Sequence, residues 1–270
     1  MAQKPLSILG LLMAASATSF SQEMATDRPD QTESSWVIPK GVLQIETGLS
    51  IGRHTPPQSP GQAALTLQNL NLASTLVRVG VLERLELRLE GGYRVERSEA
   101  TQSVGTITEP AVESLEGMDA VAVGVKVGIA EEDGPLPETS LILHTTLPVG
   151  DSPFGPSYVV PDFRFTLSHS LGKSLSLGYN IGAEWGDAGN PPDGIYTLVV
   201  GGDLAETIGG FVELFGTLSP GGPPQHTLDG GLTWAASDDV QLDASAGIGL
   251  TESVEDFFAS AGVSFRLSAW

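Results

Sequence analysis

Strict alternation of apolar and polar side chains, repeated from residue 41 to the C-terminus in runs of about ten, is the feature that most restricts the fold. Leu43-Ile45-Thr47-Leu49-Ile51 alternates with Gln44-Glu46-Gly48-Ser50, and Leu175-Leu177-Tyr179-Ile181 with Ser174-Ser176-Gly178-Asn180. Successive side chains of a strand point to opposite faces, so each run has one oily and one polar face. A tilted strand of roughly 9–11 residues also crosses a bilayer. The pattern predicts an all-β fold: a transmembrane antiparallel β-barrel with a polar lumen. Twelve candidate strands follow, over residues 41–52, 68–80, 85–96, 118–129, 139–148, 160–170, 174–185, 195–204, 209–217, 226–235, 240–249 and 256–267. An even number closes without leaving an unpaired edge in lipid.

The connections supply a separate argument. Residues 53–67, 98–117, 149–159, 186–194, 218–225 and 250–255 form long segments, whereas 81–84, 171–173, 205–208 and 236–239 are short. Segment 130–138, with Pro135 and Pro137, is longer than the other short ones. Alternating long external loops and short periplasmic turns are the habit of such barrels, and they put both termini in the periplasm. A soluble β-sandwich has similar alternation. The even strand lengths, the almost purely polar second face and the length of a single domain from residue 41 to 270 count against it.

At the N-terminus, Lys4 precedes an apolar run over 6–15, and Ser19 and Ser21 flank a cleavage point before Gln22. Residues 1–21 therefore read as a secretory signal peptide. Residues 22–40 do not alternate and carry Asp27, Arg28, Asp30 and Glu33; they form a periplasmic lead-in or a strap folded into the barrel mouth. The barrel itself spans 41–270. Export plus a barrel implies a Gram-negative outer membrane and its lipid as partner. The absence of Cys fits a barrel, which needs no disulfides. The charge of −20 argues against nucleic acid as a partner and favours cations wherever it lines a lumen.

Several segments together resemble a known family. They are Thr26-Asp27-Arg28-Pro29-Asp30-Gln31-Thr32-Glu33-Ser34, then Val37-Ile38-Pro39-Lys40-Gly41 and Leu43-Gln44-Ile45-Glu46-Thr47-Gly48. Further along stand Arg78-Val79-Gly80-Val81-Leu82-Glu83-Arg84-Leu85-Glu86-Leu87-Arg88, Leu147-Pro148-Val149-Gly150, His226-Thr227-Leu228-Asp229-Gly230-Gly231 and Gly262-Val263-Ser264-Phe265-Arg266. In this order they are similar to the outer-membrane transporter family named for the meta-cleavage pathway of phenol degradation. The resemblance implies an outer-membrane barrel and, by analogy, transport. Residues 260–267 also resemble the signal by which the barrel-assembly machinery recognises its clients, although the chain runs on to Trp270, which is either the terminal aromatic or an interfacial anchor.

Charged side chains cannot face lipid without costing several kcal/mol each. The polar partner of each strand therefore maps to the lumen and defines a candidate solute path: Gln44, Glu46, Glu86, Arg88, Glu90, Lys126, Arg164, Glu213, Asp229, Asp243 and Arg266. Arg94, Glu96, Asp162, Asn180, Glu184 and Gln241 share that phase. Charge ladders are expected across strands, including Arg266 with Glu46 at barrel closure. In the second strand Asn69 and Asn71 share a phase with Val77 and Val79, and Arg78 with Leu70 and Leu72, which calls for a bulge. An inward Glu213 carries Phe211 and Phe215 inward with it. No nucleophile–base–acid set emerges, so no catalytic residue and no enzymatic activity are expected. The four His are scattered without metal-ligand spacing, and no cofactor motif is present. These readings predict a porin-like transporter or channel for passive passage of a small solute, with hydrophobic or aromatic solutes in view. The alternative is a structural or adhesive barrel without transport activity.

Overall fold

In the computed structural model, residues 24–58, 64–104, 107–186 and 191–268 are described. The signal-peptide reading of residues 1–21 and the role of Trp270 lie outside them. Thirteen strand segments follow in chain order: β1 (Val42–His54), β2 (Ala64–Leu82), β3 (Leu85–Val104), β4 (Ile107–Met118), β5 (Ala122–Ala130), β6 (Glu138–Thr146), β7 (Val160–Ser170), β8 (Leu175–Glu184), β9 (Asp193–Ala205), β10 (Ile208–Leu218), β11 (Gln225–Ser237), β12 (Val240–Gly249) and β13 (Phe257–Ser268). Each pairs antiparallel with its neighbours, and β1 pairs with both β2 and β13, which closes the sheet. β4 and β5 occupy one place in the wall, both against β3, so the barrel has twelve wall strands.

Burial is inverted relative to a soluble protein. Leu87, Leu143, Ile181, Val212 and Ile248 are exposed on the outer surface, whereas Glu46, Arg78, Glu86, Lys126 and Glu213 are buried. A barrel in lipid requires this, because its outer face meets hydrocarbon and its polar groups must be satisfied inside.

The long connection expected at residues 98–117 differs in the structure. β3 continues to Val104, and β4 pairs with it from Tyr93↔Met118 to Val104↔Ile107. β2 also follows β3 out to Ala64↔Thr101. β2 and β3, at 19 and 20 residues, exceed the roughly 9–11 that cross a bilayer, so a three-stranded sheet stands beyond the membrane. Outside lipid nothing demands an apolar face, so the alternation fades although the ladder persists.

The bulge anticipated in the second strand lies between Leu72 and Thr75, around Ala73 with φ 50°. It switches the phase: Asn69 and Asn71 reach Glu255 and Ser50, and past the bulge Arg78 turns inward. On the short-loop face, Glu132 in the turn after β5 accepts the N–H (2.8 Å) and hydroxyl (2.7 Å) of Ser170. Those two donors hold its carboxyl below its usual range.

Candidate functional site

The lumen is occupied by the chain's own N-terminal segment. Residues 24–41 contain Pro29 and Pro39 and no alternation, so they build no ladder of their own. Their backbone donors still need acceptors away from water, and wall side chains provide them. The Asp27 N–H donates to Glu46 (2.8 Å), Gln31 to Glu213 (2.7 Å), Glu33 to Asn180 (2.7 Å) and Ile38 to Glu86 (2.9 Å). The inward acids are thus acceptors for a strap that runs inside the barrel.

On the β2–β3–β5 wall the strap meets concentrated positive charge. Register sets Arg78 directly opposite Arg88, and Glu86 opposite Lys126. Two arginines facing across a ladder repel unless carboxylates intervene. Asp27 and Glu86 intervene. Asp27 lies 2.7 Å from Arg88, 3.2 Å from Arg78 and 3.5 Å from Lys126. Arg78 also binds Glu86 at 2.8 Å and Glu46 at 3.0 Å. Arg88 binds Glu33 at 2.6 Å and Glu86 at 3.0 Å, and its Nε donates to His144 Nε2 at 2.9 Å.

Elsewhere the strap is fastened more lightly. Arg28 reaches Asp243 at 3.1 Å. Its guanidinium lies across Gly48 and Gly262, which pair in the β1–β13 ladder, and a Cβ on either glycine would occupy its place. The Thr32 hydroxyl donates to Glu213 and lies 2.7 Å from Thr197 Oγ. Asn180 returns a bond to the Glu33 carbonyl at 3.0 Å, and Ser35 meets Ser168 at 2.6 Å.

The largest cavity, of about 930 Å³, lies among the short turns and is lined by Met24, Asp203, Glu206, Asp238 and Arg266. Two others meet the strap from either side. One, of about 430 Å³ toward the long loops, is lined by Glu90, Arg94, Asp119, Phe154 and Arg164. The other, of about 490 Å³ toward the short turns, is lined by Lys173, Asp203, Glu206, Phe211 and Gln241. Arg28, Pro29 and Asp30 line both and form the septum between them. A smaller outer pocket of about 190 Å³ holds Tyr196, Phe215 and Arg164.

Of the lumen residues read from the sequence, Gln44, Glu46, Glu86, Arg88, Lys126, Glu213, Asp229, Asp243 and Arg266 are buried in the interior. Glu90 and Arg164 stay partly open in the outer cavity, with side chains 37% and 25% exposed. The expected Arg266–Glu46 ladder is replaced. Arg266 stands opposite Gln44 and reaches Asp239 at 2.7 Å, while Glu46 stands opposite Ser264 and takes Arg78. Sequence reasoning missed Arg78 and His144. The bulge concealed the first. The second shares the inward phase of Ser140, which was a usable signal.

A sequence profile described as "Putative MetA-pathway of phenol degradation" matches residues 26–267. The chain belongs to that family. The match begins at Thr26, so the family pattern includes most of the strap together with the barrel. No curated protein matches the sequence. Among solved structures, the family member is similar to an outer membrane channel from Pseudomonas putida F1. Identity is 12%, with 86% of this chain and 97% of that chain covered and a TM-score of 0.64. It is also similar to the transport unit of the autotransporter AIDA-I from Escherichia coli, at 10% identity, 92% and 93% coverage and a TM-score of 0.53. The translocator domain of the autotransporter NalP from Neisseria meningitidis matches at 12% identity, 85% and 90% coverage and a TM-score of 0.52. At such identities the shared property is the fold, an outer-membrane β-barrel.

Proposed function

We propose that this barrel passes small solutes passively across the outer membrane, and that residues 27–31 of the strap are the barrier they must pass or displace. The observation that carries the reading is the pair of lumen cavities meeting at Arg28-Pro29-Asp30. In the outer cavity Asp27, Glu33 and Glu46 are engaged by Arg78, Arg88 and Lys126. Asp30, Glu90 and Asp119 share the lining with Arg28, Arg94 and Arg164, so the path is of mixed charge and the chain's formal charge of −20 is what favours cations. Tyr196 and Phe215 in the smaller pocket, with Phe258 edge-on to Phe215 at 6.4 Å, offer contact to an apolar or aromatic solute. The phenol-degradation description of the family agrees with such a solute.

Single-channel currents of the refolded mature barrel across a salt gradient test the reading. Discrete cation-selective steps are expected. Glu90→Gln is expected to move the reversal potential toward anions. An unchanged potential would remove Glu90 from the path, and silence from folded protein would remove passage. The protruding β2–β3–β4 sheet favours a second reading, adhesion: β4 pairs with β3 alone, leaving its other edge free of strand partners among the described residues. In that case trimming residues 98–117 abolishes surface binding and leaves currents intact.

A further inference from the structure

Five arginines inside the barrel each hold a carboxylate closely: Arg28 at 3.1 Å, Arg78 at 2.8 Å, Arg88 at 2.6 Å, Arg94 at 3.0 Å and Arg266 at 2.7 Å. Arg164 departs from this rule. Its nearest acids, Asp162 and Glu33, stay 3.9 and 4.0 Å away, and its Nε is shielded from solvent without an acceptor. Glu33 is taken by Arg88, and Asp162 stands 3.7 Å from His144. A shielded donor left without an acceptor costs free energy. Arg164 and Gln31 line both the outer cavity and the smaller pocket of about 190 Å³, so the one opens into the other. Glu184 lines the same pocket, and among the described residues its carboxylate makes no hydrogen bond or ion pair. Arg164 is the charge that acts most on it. Ile195 and Phe215 supply an apolar wall between them, and Phe258 backs Phe215 at 6.4 Å.

We infer that this pocket binds a zwitterionic α-amino acid with an apolar side chain, its carboxylate on Arg164, its ammonium toward Glu184 and its side chain on Phe215 and Ile195. The assignment rests on the passage reading and names the class of solute. A guanidinium takes a carboxylate through two parallel N–H donors, which gives Nε the acceptor it lacks. A simple anion would meet Arg164 among the carboxylates of Asp162, Glu33 and Glu184, and a simple cation would meet the guanidinium. A molecule that carries both charges satisfies both sides. An α-amino acid keeps its two charges on one carbon and leaves the rest of the molecule for the apolar wall, whereas charges at opposite ends would set one against Phe215. The volume of about 190 Å³ falls below the roughly 300 Å³ at which sites for drug-sized ligands begin, so the pocket takes a single small solute.

The test titrates the refolded mature protein in detergent calorimetrically with L-phenylalanine and L-leucine. Saturable binding of about one molecule per barrel is expected. 3-Phenylpropionate lacks the ammonium and phenethylamine the carboxylate, so each leaves a charge of the site unpaired and is expected to bind at least about tenfold more weakly. Arg164→Gln is expected to weaken L-phenylalanine binding at least about tenfold while the protein keeps the electrophoretic shift of a folded barrel. Glu184→Gln is the second variant if Arg164→Gln fails to fold. Glu132→Gln, in a periplasmic turn, is expected to bind as the wild type does. Absence of saturable binding up to the solubility of the amino acids, or equal binding by folded Arg164→Gln, would overturn the site. Equal binding of 3-phenylpropionate would overturn the zwitterion. Binding is read without passage: KCl currents from protein that binds neither amino acid would remove the site and keep the channel, and binding by a barrel without currents would do the reverse.

Discussion

Replacing Asp27 by Asn removes one charge and keeps the shape. The Asp27 carboxylate faces Arg88 at 2.7 Å, Arg78 at 3.2 Å and Lys126 at 3.5 Å, all with fully buried side chains. Deleting one partner of a buried ion pair costs about 3–5 kcal/mol, because the remaining charge is left uncompensated. Glu33, Glu46 and Glu86 share the same cations, so the net loss is lower, about 2–3 kcal/mol. The barrel wall keeps its ladder, so the loss falls on the bound strap and not on the fold. At 1.4 kcal/mol per tenfold, the population with the strap displaced rises roughly 30- to 140-fold. Single-channel recording reads this as a rise in open probability of that order, and limited proteolysis as faster cleavage within residues 24–41. Open probability and cleavage equal to wild type, in a folded barrel, would refute the cationic cage as the strap's main hold.

Three further outcomes follow from named contacts. Arg78→Leu leaves Glu46, Glu86 and Asp27 facing one another without their shared guanidinium and is expected to destabilise the barrel by about 3–5 kcal/mol, read as a lower urea midpoint. Gly262→Ala displaces the Arg28 guanidinium from its cradle and from Asp243, so it is expected to resemble Asp243→Asn in currents. Adding Asp243→Asn to it then changes little further. Ser170→Ala removes a donor from Glu132, so the titration midpoint of that carboxylate rises toward its ordinary value in a carbon-detected NMR titration. Because the folded-state value is depressed, the contact stabilises at pH above the ordinary carboxylate value and is lost as pH falls through the depressed one.

The membrane-spanning part of the fold was legible because two solvents act on each strand, one from each face, and a period of two is the only pattern that satisfies both. The extents of β7 and β8, and the inward phase of Glu46, Glu86 and Glu213, follow from that period. Legibility ends where one solvent disappears. Beyond the bilayer lipid no longer fixes one face, so residues 98–104 and 107–117 pair without the alternation of the wall. Arg78 was hidden by the extra residues at Ala73, because a bulge reverses every later side chain and its position is not written in the period. The strap's seat was illegible for another reason. Its contacts join residues as far apart as Arg28 and Asp243, and nothing local distinguishes a segment bound by distant acids from a free tail.

Seated inside the lumen, the strap lies between two cavities, and under the proposed function it governs passage. The most direct measurement tethers it. The chain contains no Cys, so Thr32→Cys with Thr197→Cys introduces a unique pair where two hydroxyls now lie 2.7 Å apart. Single-channel currents are recorded from the oxidised double variant and again after reduction. The account predicts small or absent steps while the disulfide holds the strap to β9, and frequent larger openings once it is cut. Identical currents in the two states, with the disulfide verified, would contradict it.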